Sequence, residues 1–242
     1  MPTKTISIVI PVYNEEAVLR KNILEIFDFS EKNLANYDWQ VIISDNNSND
    51  RTGLIAKELV EISGRIKYFF LPEKGKGLGV IRAWQAHPAE INIFMDADLA
   101  TDIEDLPKLV ALIEEGHDIV IGSRHLRGSE VSRPFARKIT SHVLAFLLRL
   151  YFGIEVHDTA CGFKGVNQKV LNEIVPAIRN MSWTFDTELI LLCQREGLKI
   201  KEITVAWKEY CLNGRKSRGS IWEIAKNYLG EFRRLKNSLK NK

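Results

Sequence analysis

The first half of the chain alternates short apolar runs with segments of helical periodicity. The apolar runs cover residues 6–10, 41–43, 66–71, 91–95 and 118–121, and helical patterns separate them at about 15–29, 52–62, 80–86 and 103–115. Short continuous apolar runs are typical of strands that are buried on both faces, and the helices between them supply the crossovers that parallel strands require. The sequence therefore predicts an α/β fold, in which a mainly parallel sheet carries helices on both faces.

Polar clusters follow four of these runs, at residues 13–15, 45–47, 96–98 and 122–124. In sheets of this kind, ligands bind beyond the carboxyl ends of the strands. The shared position of the four clusters predicts an active site at that edge of the sheet.

Asp96 and Asp98 stand two residues apart after the fourth apolar run. Side chains two apart can point to one side of an extended chain, and paired carboxylates suit Mg²⁺ or Mn²⁺ that bridges to substrate phosphates. A helix cap or a turn is the alternative interpretation of such a pair. After a buried strand, we favour the metal site.

The Lys-Gly-Lys-Gly-Leu-Gly segment at residues 74–79 lies between the third run and a helix. A basic glycine loop in that place can wrap a diphosphate through backbone N–H groups and a lysine, although it is also typical of an ordinary surface turn. Two further candidates have equally simple alternatives. Asp45 can bind a ring N–H group or cap the next helix, and Arg124 can bind an anion or be solvated.

The second half predicts a long helix at residues 134–152, helices near 168–175 and 187–196, and a strand at 200–207. The formal net charge is +3, but residues 214–242 carry nine Lys and Arg against two Glu. So small a total charge excludes a general nucleic-acid binder, whereas a cationic end favours an anionic surface or ligand. The basic, apolar helix at 134–152 is too short an apolar stretch to cross a bilayer. It predicts an amphipathic helix at a membrane surface, a core helix, or a contact between copies in a homo-oligomer.

Taken in order, the motifs resemble those of the family 2 glycosyltransferases with a GT-A fold. The matching segments are residues 11–16, 45–50, 74–77, 95–99 and 122–124. Residues 158–164 and 183–188 resemble the polyprenyl-phosphate branch, the dolichyl-phosphate mannose and glucose synthases. The resemblance implies a Rossmann-like GT-A domain over residues 1–242, with a donor-binding part at about 5–124, an acceptor and membrane-interface part at about 125–242, and C-terminal amphipathic helices.

The resemblance also implies a role for each matching residue. The nucleotide-sugar donor would be held by Pro11, Tyr13, Glu15, Asp45, Lys76 and Asp96, and Asp96 and Asp98 would carry Mg²⁺ or Mn²⁺. The acceptor phosphate would contact Arg124, Arg137, Lys216 and Arg218. Asp158 matches an acidic position near the sugar and acceptor, so the implied catalytic set is Asp98, Asp158 and Arg124.

The implied function is inverting transfer of a hexose to a polyprenyl (dolichyl-type) phosphate, by a cytoplasmic protein that is peripheral on the cytoplasmic face of a membrane. Ala100 stands where mannose-type enzymes commonly have Gln, which favours UDP-glucose over GDP-mannose as donor. Three alternatives stay open. They are a family 2 enzyme with a soluble or polysaccharide acceptor, a nucleotide-sugar binding module without catalysis, and a sugar-nucleotide pyrophosphorylase.

Overall fold

The computed structural model describes residues 3–208, with the backbone alone for residues 135–137. In this part of the chain the strands are β1 (Thr5–Val12), β2 (Asp38–Asn46), β3 (Ile66–Leu71), β4 (Ile91–Met95), β5 (Ile119–Ser123), β6 (Glu130–Ser132), β7 (Phe163–Asn167), β8 (Ile200–Thr204) and β9 (Ala206–Lys208). The helices are α1 (Leu19–Asn33), α2 (Thr52–Val60), α3 (Lys76–Ala86), α4 (Leu106–Glu114), α5 (Phe135–Phe152), α6 (Gln168–Glu173) and α7 (Phe185–Arg195). Short 3-10 turns occur at Ile103–Asp105 and Val175–Ala177.

Seven strands form one sheet in the order β3-β2-β1-β4-β7-β5-β8. The first four of these are parallel, and the register sets Ile8 opposite Val41 on one side and opposite Ile93 on the other. β5 and β8 are also parallel, and β6 pairs with β9 in a separate two-stranded sheet. The predicted mainly parallel sheet is confirmed.

Alternate residues of β1, β2, β4 and β5 enter two apolar cores, one on each face of the sheet. On one face, Ile8 and Ile93 pack with α1, α2 and α4. On the other face, Val9 and Phe94 pack with α3, α6 and α7. This two-sided burial explains why the strands read as continuous apolar runs, and it confirms helices on both faces.

β7 is the main element that the sequence did not predict. It runs antiparallel between β4 and β5, with Phe163 opposite Met95. Lys164 and Gly165 interrupt the apolar pattern that would mark a central strand. A Cβ on Gly165 would lie 2.3 Å from Leu109 Cδ2, so the missing side chain lets α4 pack closely on the sheet. The predicted strand at 200–207 is in fact two strands, β8 and β9, separated at Val205.

α5 has two apolar sides. Leu148 is buried in the core, and Leu144 and Phe152 pack against that core. Val143, Phe146 and Leu150 lie on another side and are more than half exposed. Among the described residues, no helix combines the length and apolarity that crossing a bilayer requires. The basic segment at 214–242, predicted as the cationic end, lies outside the described residues.

Candidate active site

The candidate site lies at the carboxyl ends of β1, β2, β4 and β5. The chain leaves β1 for β2 and β3 on one side and returns to β4 on the other, so the strand order reverses between β1 and β4. Such a reversal opens a crevice in which open α/β sheets bind their ligands. The four polar clusters lie at this edge, as the sequence predicts.

The end of β1 and the turn after it carry three of the predicted donor residues, and all three are half-buried: Pro11, Tyr13 and Glu15. The backbone N–H of Glu15 donates to Thr52 Oγ1 at 2.8 Å. The hydroxyl of Tyr13 accepts a hydrogen bond from Lys74 Nζ at 2.7 Å. The β1 turn is therefore fixed to α2 and to the glycine loop on either side of the crevice.

Asp45, at the end of β2, is only 1% exposed. One carboxylate oxygen accepts the backbone N–H of Ser48 at 2.9 Å, and the other accepts the hydroxyl of Tyr68 at 2.9 Å. Burial, together with the hydrogen bond to Asp45, raises the pKa of Tyr68. Asp45 is therefore a buried acceptor that orders the turn after β2 and the side chain of Tyr68; within the described residues it is not a helix cap.

The glycine loop differs from the sequence prediction. The N–H of Gly77 donates to Ser182 O at 3.2 Å, and the N–H of Leu78 donates to Met181 O at 3.1 Å. A Cβ on Gly77 would lie 2.5 Å from Phe185 Cβ, so the glycine is needed for this close packing. The expectation that the loop wraps a diphosphate through its backbone is wrong for these two N–H groups, because a neighbouring loop already uses them.

Lys76, at the first residue of α3, points into the crevice. Its Nζ lies 2.6 Å from Asp96 Oδ1 and 5.6 Å from the ring centroids of both Phe94 and Trp183. Burial lowers the pKa of Lys76, but the carboxylates of Asp96 and Asp186 more than offset this and raise it. The side chain is therefore a firmly charged ammonium group at the centre of the site.

Asp96 and Asp98 follow β4, where β7 closes against them. The N–H of Asp96 donates to Gly162 O at 3.0 Å, and a Cβ on Gly162 would lie 1.9 Å from Asp96 Oδ2. Asp98 Oδ1 accepts the N–H of Ala100 at 3.1 Å. Asp98 faces solvent, yet the crevice partly desolvates its carboxyl, and this together with the charge of Asp96 raises the pKa of Asp98.

This donor set fits a divalent metal that is shared with a substrate. Among the described residues, no group of three or more Asp, Glu, His or Cys side chains is arranged to hold an ion. Mg²⁺, however, is usually held by one or two carboxylates together with substrate phosphates. Asp96 and Asp98 supply hard oxygen ligands of that kind beside a crevice, and the mutual repulsion of their charges favours a cation between them.

Lys164 and Asp186 lie in the matching segments 158–164 and 183–188, and they form a buried ion pair that the sequence did not predict. Lys164 is fully buried, and its Nζ contacts Asp186 Oδ2 at 3.0 Å and, more closely, the carbonyl of Cys161. A lysine is almost never fully buried unless it is paired. The signal in the sequence was a lysine inside a short apolar segment.

Arg124 and Asp158 form a second buried ion pair at the end of β5. The N–H, Nε and Nη2 groups of Arg124 donate to the Asp158 carboxylate at 3.0, 2.7 and 2.9 Å. Burial raises the pKa of Asp158, but Arg124 outweighs this and holds that pKa well below its usual range. Arg124 is therefore neither a solvated side chain nor an isolated charge.

Trp207 connects this pair to the turn after β4. Its ring lies 5.5 Å from Arg124 Cζ and 5.3 Å from Arg133 Cζ. A β-bridge connects Trp207 to Thr101, three residues after Asp98. Arg133 is a cation of the site that the sequence analysis did not assign, because only β6 and β9 bring it over the tryptophan.

The other residues predicted to contact the acceptor phosphate lie wholly or partly outside the described residues. Arg137 lies in α5, and its side chain is outside the described part of the chain. Lys216 and Arg218 lie outside the described residues altogether.

The family model "Glycosyl transferase family 2" matches residues 7–175. The Haloferax volcanii glycosyltransferase AglD is 28% identical over 205 residues, which make up 84% of this chain and 33% of that protein. The Drosophila melanogaster dolichyl-phosphate beta-glucosyltransferase is 31% identical over 223 residues, with 86% of this chain and 68% of that protein covered. The chain thus spans one third of the first relative and about two thirds of the second.

Two further relatives extend the comparison. The Pyrococcus furiosus dolichol-phosphate mannosyltransferase is 32% identical over 177 residues, with 70% of this chain and 48% of that protein covered. Among solved structures, glucosyl-3-phosphoglycerate synthase from Mycobacterium tuberculosis superposes with a TM-score of 0.60 at 22% identity, over 87% of this chain and 74% of that one. That crystal contains Mn²⁺, uridine diphosphate and glucosyl-3-phosphoglycerate. At this sequence identity, the structural similarity supports the fold alone.

Proposed function

The chain belongs to glycosyl transferase family 2, and we propose from this premise that it transfers a hexose from a nucleotide sugar to a polyprenyl phosphate. The observation that carries the proposal is the arrangement of charges at one edge of the sheet. The carboxylates of Asp96 and Asp98 and the ammonium group of Lys76 lie together where the strand order reverses. The Arg124–Asp158 pair lies at the neighbouring end of β5. A metal-bound diphosphate and a second phosphate group need these two kinds of site side by side.

The relatives support the lipid acceptor. The Drosophila and Pyrococcus proteins are named for transfer to dolichyl phosphate. We extend that acceptor class to this chain. The part up to about residue 124 binds the donor, and the part from about residue 125 binds the acceptor together with Arg124, which stands at the boundary. On the donor side, Pro11, Tyr13 and Glu15 hold the nucleoside, and the buried Asp45 fixes the turn after β2 beside them.

The reaction is a displacement at the anomeric carbon. A phosphate oxygen of the acceptor forms the new bond, the bond to the nucleoside diphosphate breaks, and its electron pair leaves with the diphosphate, so the configuration inverts. When bound at Asp96 and Asp98, Mg²⁺ or Mn²⁺ neutralises negative charge on the diphosphate. Lys76 adds a fixed positive charge beside the same group, which stabilises the departing anion.

The acceptor phosphate has to be oriented for attack, and it does not need a strong base to deprotonate it. The second pKa of a phosphate monoester is near ~6, so its oxygen is already an anion at neutral pH. The three hydrogen bonds to Asp158 fix the Arg124 guanidinium and engage its Nε and Nη2. Among the described residues, no acceptor is bonded to Nη1, and we propose that this group binds an oxygen of the acceptor phosphate. We therefore assign Arg124 to the acceptor phosphate and Asp158 to positioning Arg124. Arg133, Arg137, Lys216 and Arg218 supply further positive charge.

Binding at a membrane surface belongs to the same proposal. The exposed apolar side of α5, formed by Val143, Phe146 and Leu150, suits the interfacial region of a bilayer, and the Lys and Arg residues of 214–242 suit anionic lipids on its cytoplasmic face. The polyprenyl chain is then delivered from the bilayer to Arg124.

Product formation tests the proposal. The full chain is incubated with polyprenyl phosphate, a labelled nucleotide sugar and Mg²⁺ or Mn²⁺, and the label is measured in the organic phase. We expect a lipid-linked hexose and, because Ala100 follows the glucose-type pattern, a preference for UDP-glucose over GDP-mannose. Absence of an organic-phase product with either donor would contradict the acceptor assignment.

A further inference from the structure

The contact between Lys76 and Asp96 places an ammonium group on a proposed metal ligand. Lys76 Nζ lies 2.6 Å from Asp96 Oδ1, which is the distance of a short charge-assisted hydrogen bond. The Lys76 side chain is 15% exposed and that of Asp96 is 38% exposed. The ammonium group of Lys76 therefore already neutralises the negative charge of Asp96.

The segment before β7 crowds the whole Asp96 carboxylate. The position that a Cβ of Gly162 would occupy lies 1.9 Å from Asp96 Oδ2 and 2.6 Å from Oδ1, so the carboxylate is held close to the Gly162 backbone. Lys76 occupies one of its two oxygens. A divalent metal that binds this carboxylate therefore has to share it with Lys76 or displace Lys76.

Lys76 has other partners when it leaves Asp96. Its Nζ is near the faces of Phe94 and Trp183, at 5.6 Å from each ring centroid. The carboxylate of Asp186, held by the fully buried Lys164, also attracts it. These groups keep the ammonium group in the crevice, within reach of an anionic diphosphate.

We propose that Lys76 is a displaceable counter-ion of Asp96 that couples the binding of metal and donor. Without ligands, Lys76 pairs with Asp96 and opposes metal binding. The donor diphosphate provides Lys76 with a new anionic partner, which frees Asp96 for the metal. Metal and nucleotide therefore each strengthen the binding of the other. This inference rests on the proposed nucleotide-sugar donor, but it does not depend on the lipid acceptor.

Binding of Mn²⁺ to the full chain tests the proposal without catalysis. The free Mn²⁺ signal is measured by electron paramagnetic resonance, with and without UDP, for the wild-type protein and for Lys76→Met. Loss of the competing ammonium group is expected to tighten Mn²⁺ binding in the absence of UDP by about fivefold or more, the lower end of typical coupling between sites. The same substitution is expected to weaken UDP binding in the presence of Mn²⁺.

Two matched variants separate charge from position. Lys76→Arg keeps the positive charge, so we expect its Mn²⁺ affinity without UDP to stay within about twofold of wild type, well below that coupling range. Lys74→Met removes a lysine of the same loop whose Nζ contacts Tyr13 instead of Asp96, and its Mn²⁺ affinity without UDP should also be unchanged.

An unchanged or weaker Mn²⁺ affinity in Lys76→Met would overturn the proposal, as would tightening of the same size in Lys74→Met. Because the readout needs neither polyprenyl phosphate nor turnover, its failure is distinguishable from failure of the proposed function, which is measured as lipid-linked product.

Discussion

Arg124 engages the Asp158 carboxylate with three donors, its backbone N–H and the side-chain Nε and Nη2 groups. Asp158 is 1% exposed, so its charge depends on this partner. Breaking a buried ion pair at one end typically costs about 3–5 kcal/mol, because the remaining charge is left without compensation. We therefore expect Asp158→Asn to lower the free energy of unfolding by about 3 kcal/mol at pH 7, measured by urea denaturation. The double variant Arg124→Met/Asp158→Leu should lose less stability than Asp158→Asn, and a larger loss would contradict this account.

The same pair predicts how the stability difference depends on pH. Arg124 lowers the pKa of Asp158 in the folded protein, whereas an unfolded Asp has a pKa near ~3.9. The stabilisation is therefore fully present above about pH 5 and is lost as the pH falls through the folded pKa. Wild type and Asp158→Asn should differ by a constant amount between about pH 5 and 7, and the difference should shrink below about pH 4. A difference that stays constant down to about pH 2.5 would contradict the assignment.

Asp98→Asn tests the proposed metal ligand. The substitution keeps the size of the side chain and removes one of the two negative charges, so we expect kcat/KM to fall by about 100-fold or more. Asp102→Asn is the control. Asp102 lies four residues away and caps a 3-10 turn through its hydrogen bond with the Glu104 N–H. Its activity should stay within about threefold, since the Asn side-chain oxygen can accept the same hydrogen bond and Asn caps helices about as well as Asp. Equal losses in the two variants would mean that negative charge in this region, and not Asp98 itself, matters.

Gly162→Ala tests whether the position of Asp96 depends on β7. The new methyl group would lie where the Asp96 carboxylate now packs, 1.9 Å from Oδ2, so the carboxylate has to move. A displacement of about 1 Å in a catalytic group can cost 10²-fold in rate, and we expect a loss of that order.

Gly64→Ala provides the matched control for this substitution. A Cβ on Gly64 meets no atom within 4 Å, so its activity should be unchanged. Near-normal turnover by Gly162→Ala would show that Asp96 does not need its present position.

The exposed side of α5 predicts a specific effect on membrane binding. Phe146 and Leu150 are 63% and 67% exposed, and burying such side chains in a bilayer contributes about 1.5–3 kcal/mol each. Phe146→Glu/Leu150→Glu should therefore reduce co-sedimentation with vesicles of anionic phospholipid by about tenfold or more. Leu54→Glu places the same charge at a half-exposed leucine of α2 and should leave sedimentation unchanged. Unaltered sedimentation of the α5 double variant would remove the membrane contact from this helix.

The parallel half of the sheet was predictable because its strands are continuously apolar, and β1, β2 and β4 are buried on both faces. Ile66–Leu71 and Ile91–Met95 begin and end where the apolar runs do. β7 was not predictable from that pattern, because Lys164 is buried through an ion pair with Asp186 instead of through apolar contacts. A local pattern cannot reveal a partner 22 residues away.

Some features of the candidate site were likewise predictable from the sequence, and others were not. Asp96 and Asp98 were predictable because both carboxylates follow one strand end. The pairing of Arg124 with Asp158 was not predictable, since the two residues are 34 positions apart and meet only where β5 adjoins the segment before β7. The hydrogen bonds from Gly77 and Leu78 to the loop at Met181 and Ser182 depend on tertiary packing too, so the sequence predicts only a diphosphate cradle or a surface turn for this loop.

A partition assay distinguishes hexose transfer to a lipid phosphate from transfer to a soluble acceptor. The full chain is given Mn²⁺ and either labelled UDP-glucose or labelled GDP-mannose, with polyprenyl phosphate in one series and soluble saccharides or phosphorylated small molecules in another. Asp98→Asn serves as the blank. We expect organic-phase label only with polyprenyl phosphate, and more of it from UDP-glucose. Nucleotide release with a soluble acceptor, and no organic-phase label from either donor, would contradict the lipid acceptor while leaving the donor site intact.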